Sequence, residues 1–163
     1  MNKKSGVTIL VLVITIIVLA ILAGASIKGV ANVLDKANKQ NFVTELKTLQ
    51  DKTKEYYITF GELPVDKTKS YTVQQLFDLY TDEIELKSIK NEVNKNSDNE
   101  AVFYKLDLNE LEVETEKRGK SATSKDIFVV SSYNYNVYYL QGEVIEDKVH
   151  FSLVNLIEKN KVY

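Results

Sequence analysis

The stretch from Val7 to Ile27, VTILVLVITIIVLAILAGASI, holds no charged residue. At a rise of about 1.5 Å per residue, a helix of this length measures roughly 31 Å, which matches a hydrocarbon core of about 30 Å. Inside lipid every main-chain N–H and C=O needs an internal partner, and a lone segment meets that demand only as a helix. Its Val, Ile and Thr residues are therefore expected to be helical despite their strand preference. Two other readings compete. A removable secretory signal would use Lys3 and Lys4 as its basic start and Ala23-Gly24-Ala25 as its cleavage pattern. Such signals have an apolar region of about 7 to 15 residues, and this one is longer. A buried core helix fits poorly with so long an apolar run and no polar stripe.

Working outward, the 163 residues leave room for one modest globular domain beyond the span. The chain has no cysteine, so neither a disulfide framework nor a cysteine-ligated zinc site can form. Removing Lys3, Lys4 and Lys28 from the 21 basic residues leaves 18 against 23 acidic ones, so the chain from Val30 onward carries about −5. That balance argues against nucleic acid as a partner, because phosphate binding needs a basic surface. Lys3 and Lys4 stand just before the span, and the bias of Lys and Arg toward the cytoplasmic side predicts an N-terminus inside and a C-terminal domain outside.

Lys3-Lys4-Ser5-Gly6 followed by Val7-Thr8-Ile9-Leu10 resembles the leader and mature start of type IV pilins and type II secretion pseudopilins. The resemblance implies that residues 1–6 are a leader, that a prepilin peptidase cuts between Gly6 and Val7, and that the new N-terminal Val7 is methylated. Thr8 and the aliphatic run after it also match the family pattern. Two positions depart from it. The glutamate usual at the fifth residue after the cut is Val11 here, and Lys28 stands near where a proline is often found. The family's glutamate meets the N-terminal amine of a neighbouring subunit, and a few minor pseudopilins lack it. The resemblance therefore implies a minor, initiating or tip subunit whose partners are other pilin or pseudopilin subunits.

From Lys28 the pattern turns amphipathic without a helix stop. Val30, Val33, Leu34 and Ala37 form one apolar stripe, and Phe42, Leu46, Leu49, Tyr56 and Phe60 continue it at spacings of three, four and seven. One helix is predicted from about Thr8 to Phe60, near 80 Å long at the helical rise. Residues 7–27 are its membrane or filament-core part and 28–61 its amphipathic continuation. Gly24 and Gly29 are its weak points, costing about 1 kcal/mol each against alanine. Gly61 and Pro64 should end it. A free coiled coil is the competing reading, against which the stripe breaks register and ends in aromatics.

Residues 62–163 should then cover the apolar side of that helix. Thr72 or Ser70 is placed to cap a short helix through Val73, Leu76, Phe77 and Tyr80, and Thr81 a further turn through Ile84, Leu86 and Ile89. Asn91 to Glu100 reads as a loop by composition. Its Asn94, Asn96, Asp98 and Glu100 alternate as calcium ligands do, but Lys95 and the lack of glycine spoil the match, and a solvated turn is the simpler reading. Ala101 to Leu106, Ile127 to Ser131, Asn136 to Leu140 and a segment around Val149 to Leu153 read as strands. The fold class expected is α+β, a long helix packed on an antiparallel meander of three or four strands. Val149, Phe151 and Leu153 should share the inward face, leaving His150 outward.

Nothing in this pattern looks like an active site. Glu110, Glu112, Glu114 and Glu116 alternate along what reads as a wet face, the single histidine has no triad partner, and the six glycines form no phosphate loop. No enzyme activity, cofactor or metal is expected. Tyr104, Tyr133, Tyr135, Tyr138 and Tyr139 are the most unusual enrichment. Tyrosine suits both half-buried strands and contact surfaces, so strand packing and a subunit or ligand surface at Tyr133, Tyr135 and Tyr138 both stay open. Within the assembly reading, Thr8, Val11, Gly24 and Ala25 are the helix positions of interest, since the small pair allows close helix approach. The competing class is an uncleaved, membrane-anchored module that binds a cell-envelope ligand.

Overall fold

Phe128-Val129-Val130 and Val137-Tyr138-Tyr139 are apolar at every position rather than at every second one, and strands of that kind must be covered on both faces. In the computed structural model of the protein they are. The structure describes residues 4–96, 100–114, 125 and 127–157, with the side chains of 11–19, 33–95, 100–114, 125, 127–154 and 156. Its elements are α1 (Lys4–Phe60), β1 (Val65–Thr72), α2 (Val73–Phe77), α3 (Glu83–Asn96), β2 (Val102–Leu106), β3 (Phe128–Ser131), β4 (Val137–Tyr139), β5 (Glu143–Ile145), β6 (Lys148–His150) and α4 (Val154–Ile157). Two compact units result, Met1–Asn38 and Lys39–Tyr163.

In the second unit β1, β2, β3 and β4 form one antiparallel sheet in chain order. Phe103 sits opposite Ser131, and Phe128 opposite Tyr139. One face is closed by the second half of α1, whose Phe42, Leu46 and Leu49 are fully buried against Leu106, Val130 and Tyr139 among others. Burying each such side chain stabilises by about 1.5–3 kcal/mol. The other face is closed by α2 and α3 through Leu76, Ile89 and Val93, which meet Phe103, Val129 and Tyr138. Alternation along each strand sends Val130 and Tyr139 to the α1 side and Val129 and Tyr138 to the other. The fold class is thus α+β, with a helix packed on a small antiparallel sheet.

The helix stops where Gly61 predicts. Gly61 takes φ 76°, and its N–H donates to the Tyr57 carbonyl at 2.8 Å, the left-handed cap that glycine favours. Thr72 caps α2 as its sequence predicts. Its hydroxyl accepts from Gln75 N at 3.2 Å while the Gln75 side chain accepts from Thr72 N at 2.9 Å, so two end donors are satisfied reciprocally.

Several expectations need correction. The expected cap of α3 at Thr81 is replaced by Asp82, whose carboxylate accepts from Ile84 N and Glu85 N. The expected loop at Asn91 to Glu100 is helical as far as Asn96, because Leu86, Ile89 and Val93 keep one apolar face running under a polar surface. β1 adds an edge strand that the sequence conceals, since four of its eight residues in a row are exposed and its register slips between Asp66 and Ser70. The strand expected around Val149 ends at His150 and pairs only with β5, in a separate hairpin. Val149 and Phe151 pack on the α3 side and Leu153 on the α1 side, so the three do not share a face. The chain leaves extended structure after His150, and the period of two ends with it.

Among the described residues no helix is long and apolar enough to cross a membrane. The expected span at 7–27 lies partly outside them, since only the side chains of 11–19 are described.

Candidate functional site

At 3.6 residues per turn, nine consecutive helical residues point in every direction around the axis. Residues 11–19 are Val, Leu, Val, Ile, Thr, Ile, Ile, Val and Leu, and all nine are exposed. Val11 is 53 % and Leu19 65 % accessible. No direction around this part of α1 is therefore polar. Its one hydroxyl makes no demand on the surroundings, because Thr15 Oγ1 lies 2.9 Å from the Val11 carbonyl and 2.8 Å from that of Leu12. A helix apolar all round is stable when lipid or protein surrounds it. Val11 thus presents an alkyl surface where a carboxylate would present charge. Gly6, Val7, Thr8, Gly24 and Ala25 fall within α1, and their side chains lie outside the described residues. Further along the first unit, Val33 and Leu34 are also exposed.

The three tyrosines singled out as a contact surface separate. Tyr138 is fully buried, its ring edge-on to Phe103 at 5.7 Å between centroids, so it belongs to the core and not to a surface. Its position in β4 turns it toward α3, where the covering helices exclude solvent. Tyr133 is 62 % exposed in the β3–β4 connection. Tyr135 is half-buried and adopts φ 60°, an uncommon conformation for a bulky side chain, which sets its ring 5.0 Å from that of Tyr57. A hydrogen bond with Tyr57 raises the Tyr135 phenol above its usual pKa.

Tyr57 lies beside Tyr56 and Phe60, the last two members of the apolar stripe expected from the periodicity. The rings of Tyr56 and Phe60 lie 4.5 Å apart and tilted at 44°, Phe60 is 63 % exposed, and Ile58 beside them is 83 % exposed. The sheet does not reach the last turn of α1, so the stripe outruns its cover there. The Tyr56 hydroxyl donates to the Glu110 carboxylate at 3.0 Å, and that bond raises the Tyr56 pKa. The available signal was the run Tyr56-Tyr57-Ile58-Thr59-Phe60 itself, where adjacent aromatics must face different ways around a helix.

Glu110, Glu112 and Glu114 are exposed, while Glu116 lies outside the described residues. Among the described residues no group of His, Asp and Glu is arranged to hold a metal ion. The calcium-like alternation runs partly outside them, at the Asn96 side chain and Asp98. The chain matches no protein family, no curated protein and no solved structure.

Proposed function

We propose that this chain is a structural, minor subunit of a type IV pilus or pseudopilus, processed after Gly6 and assembled through its N-terminal helix. The observation that carries the reading is the helix at 11–19, apolar in every direction and with its single hydroxyl satisfied by its own backbone. Such a surface suits lipid first and a bundle of similar helices afterwards. Moving it between them gains little hydrophobic energy, so close packing must hold the assembly, with Gly24 and Ala25 allowing near approach. Val11 removes the charge that would meet a neighbour's N-terminal amine, which favours a minor position. Prepilin peptidase would remove the leader and Val7 would be methylated. No catalytic step is assigned to the chain.

A second reading is favoured by the exposed rings of Tyr57, Phe60 and Tyr133, namely an uncleaved single-pass anchor whose outer domain binds an envelope ligand. In both readings the C-terminal domain lies outside the cytoplasmic membrane. The intact mass and N-terminal sequence of the protein from its native membrane or surface fraction separate them. A start at a methylated Val7 supports the subunit; a start at Met1 overturns it, because Lys3 and Lys4 could not enter a filament core without a heavy desolvation cost.

A further inference from the structure

With no cysteine, this chain has no disulfide to staple distant segments together. It also has no tryptophan and one methionine against ten tyrosines, so a one-electron oxidant finds phenol rings as its main target. Tyr57 in the last turn of α1 and Tyr135 in the β3–β4 connection bring two of these rings to 5.0 Å between centroids, their planes 33° apart. Two rings joined by one carbon–carbon bond of about 1.5 Å have centroids only slightly nearer than this. A hydrogen bond links the two hydroxyls, and the ortho carbons of a phenol lie next to its hydroxyl-bearing carbon. Rotation about Cβ–Cγ, a broad torsion in tyrosine, turns one ortho carbon toward the other. The backbone holds Tyr135 in place, since its N–H donates to the Ser131 carbonyl at 3.0 Å and Asn136 N donates to Asn134 Oδ1 at 3.0 Å. Tyr57 is 39 % exposed, so an oxidant reaches the pair from solvent.

We propose that Tyr57 and Tyr135 form an oxidative cross-linking site, at which a bond between ortho carbons of the two rings fastens the end of α1 to the β3–β4 connection. The oxidant is hydrogen peroxide acting through a haem peroxidase. Each phenol gives up one electron and one proton, and the two phenoxyl radicals couple at their ortho carbons. The rings regain aromaticity as each ortho hydrogen passes through solvent to its own oxygen. Overall two C–H bonds break and one C–C bond forms, and the two protons and two electrons released reduce one hydrogen peroxide to two waters. The link lies where the sheet stops short of the last turn of α1. It closes a loop of roughly 80 residues, and cross-links that close long loops restrict the unfolded chain most. The site does not depend on processing at Gly6 or on assembly.

The test treats the full chain in neutral detergent micelles with hydrogen peroxide and a haem peroxidase, at protein concentrations low enough to disfavour links between chains. Dityrosine fluorescence, intact mass and sequencing of linked tryptic peptides read the product. A monomer lighter by two hydrogens is expected, with Tyr57 joined to Tyr135. Tyr57→Phe and Tyr135→Phe should each lower the monomeric product at least tenfold while keeping the circular dichroism of the parent, and Tyr133→Phe should leave it unchanged. The linked monomer should unfold at higher urea than the unlinked one. Retention of the product in Tyr57→Phe or Tyr135→Phe, its loss in Tyr133→Phe, or links formed only between chains overturn the site. Peptide mapping of the parent decides the matter even where a variant unfolds, because no link within the chain, or one between another pair of tyrosines, overturns it. An unchanged urea midpoint overturns the fastening role.

Discussion

The carboxylate of Glu92 on α3 accepts a 2.7 Å hydrogen bond from the hydroxyl of Ser152, 60 residues further along the chain. That bond fastens α3 to the segment leaving β6, and the same hydroxyl also accepts from Val154 N at 3.3 Å. Hydrogen bonds to charged groups contribute about 1.5–3 kcal/mol, and a buried carboxylate that loses a donor is costly. Ser152→Ala should lower the unfolding free energy of the second unit by about 2 kcal/mol. Urea unfolding of the full chain in neutral detergent, followed by far-UV circular dichroism, would measure it; a change below about 0.5 kcal/mol would mean that the bond contributes nothing net.

Tyr80 makes the complementary link on the same side of the sheet. Its hydroxyl donates to the Leu140 carbonyl, its ring meets Phe151 edge-on at 5.4 Å, and the side chain is buried. Burial first, and then the charges of Glu85 and Glu92, raise its pKa strongly. The unfolded chain deprotonates near the ordinary tyrosine value of about 10, so the folded state holds the proton longer. The stability linked to Tyr80 is fully present below pH 10 and is lost as the pH rises above it. Absorbance at 295 nm should show Tyr80 among the buried tyrosines, with Tyr138 and Tyr139, that ionise only together with unfolding. Tyr80→Phe should reduce that coupled absorbance change by one tyrosine and cost about 1 kcal/mol at neutral pH. If the variant keeps the full alkaline transition, Tyr80 is not its source.

Two glycines with positive φ separate backbone strain from crowding. At Gly61, φ 76°, an added Cβ meets nothing within 4 Å. At Gly142, φ 74°, it would lie 2.6 Å from Val149 Cγ1 and 2.9 Å from Phe151 Cε1. Gly61→Ala should therefore cost about 1 kcal/mol, from the left-handed conformation alone. Gly142→Ala carries the same strain plus a clash of about 1–3 kcal/mol. Thermal unfolding of the two variants side by side should rank Gly142→Ala clearly below Gly61→Ala; the reverse order would refute the crowding.

Along α1 the second unit should respond to truncation only where the sheet covers the helix. Leu46 is fully buried and Ile58 is 83 % exposed. Leu46→Ala is expected to cost about 2–5 kcal/mol and Ile58→Ala less than about 0.5 kcal/mol. Equal losses in a denaturant titration would place Ile58 under cover.

Local signals in the sequence were reliable where a single element satisfies them by itself. Gly61 stops α1 and Thr72 caps α2 because a cap depends on a few neighbouring backbone groups. The strands at 128–131 and 137–139 were legible from their β-branched and aromatic density. Residues 91–96 look like a loop by their polar composition, yet the spacing of Leu86, Ile89 and Val93 extends the buried face of α3 through them. β1 is concealed in the sequence for a related reason. An edge strand needs a partner's ladder and not an apolar face, and Val65 to Thr72 finds that partner in β2.

What the sequence determined by itself is the all-round apolar character of 11–19, the amphipathic run after it, the helix stop and the α+β class. Each is a property of residue order within one segment. Only the tertiary structure decided which tyrosines are surface and which are core, that helices cover both faces of the sheet, and that Glu92 is buried beside His150 in one cleft. Those facts depend on which distant segments meet, and the period of two along a strand says which residues share a face without saying what lies against it.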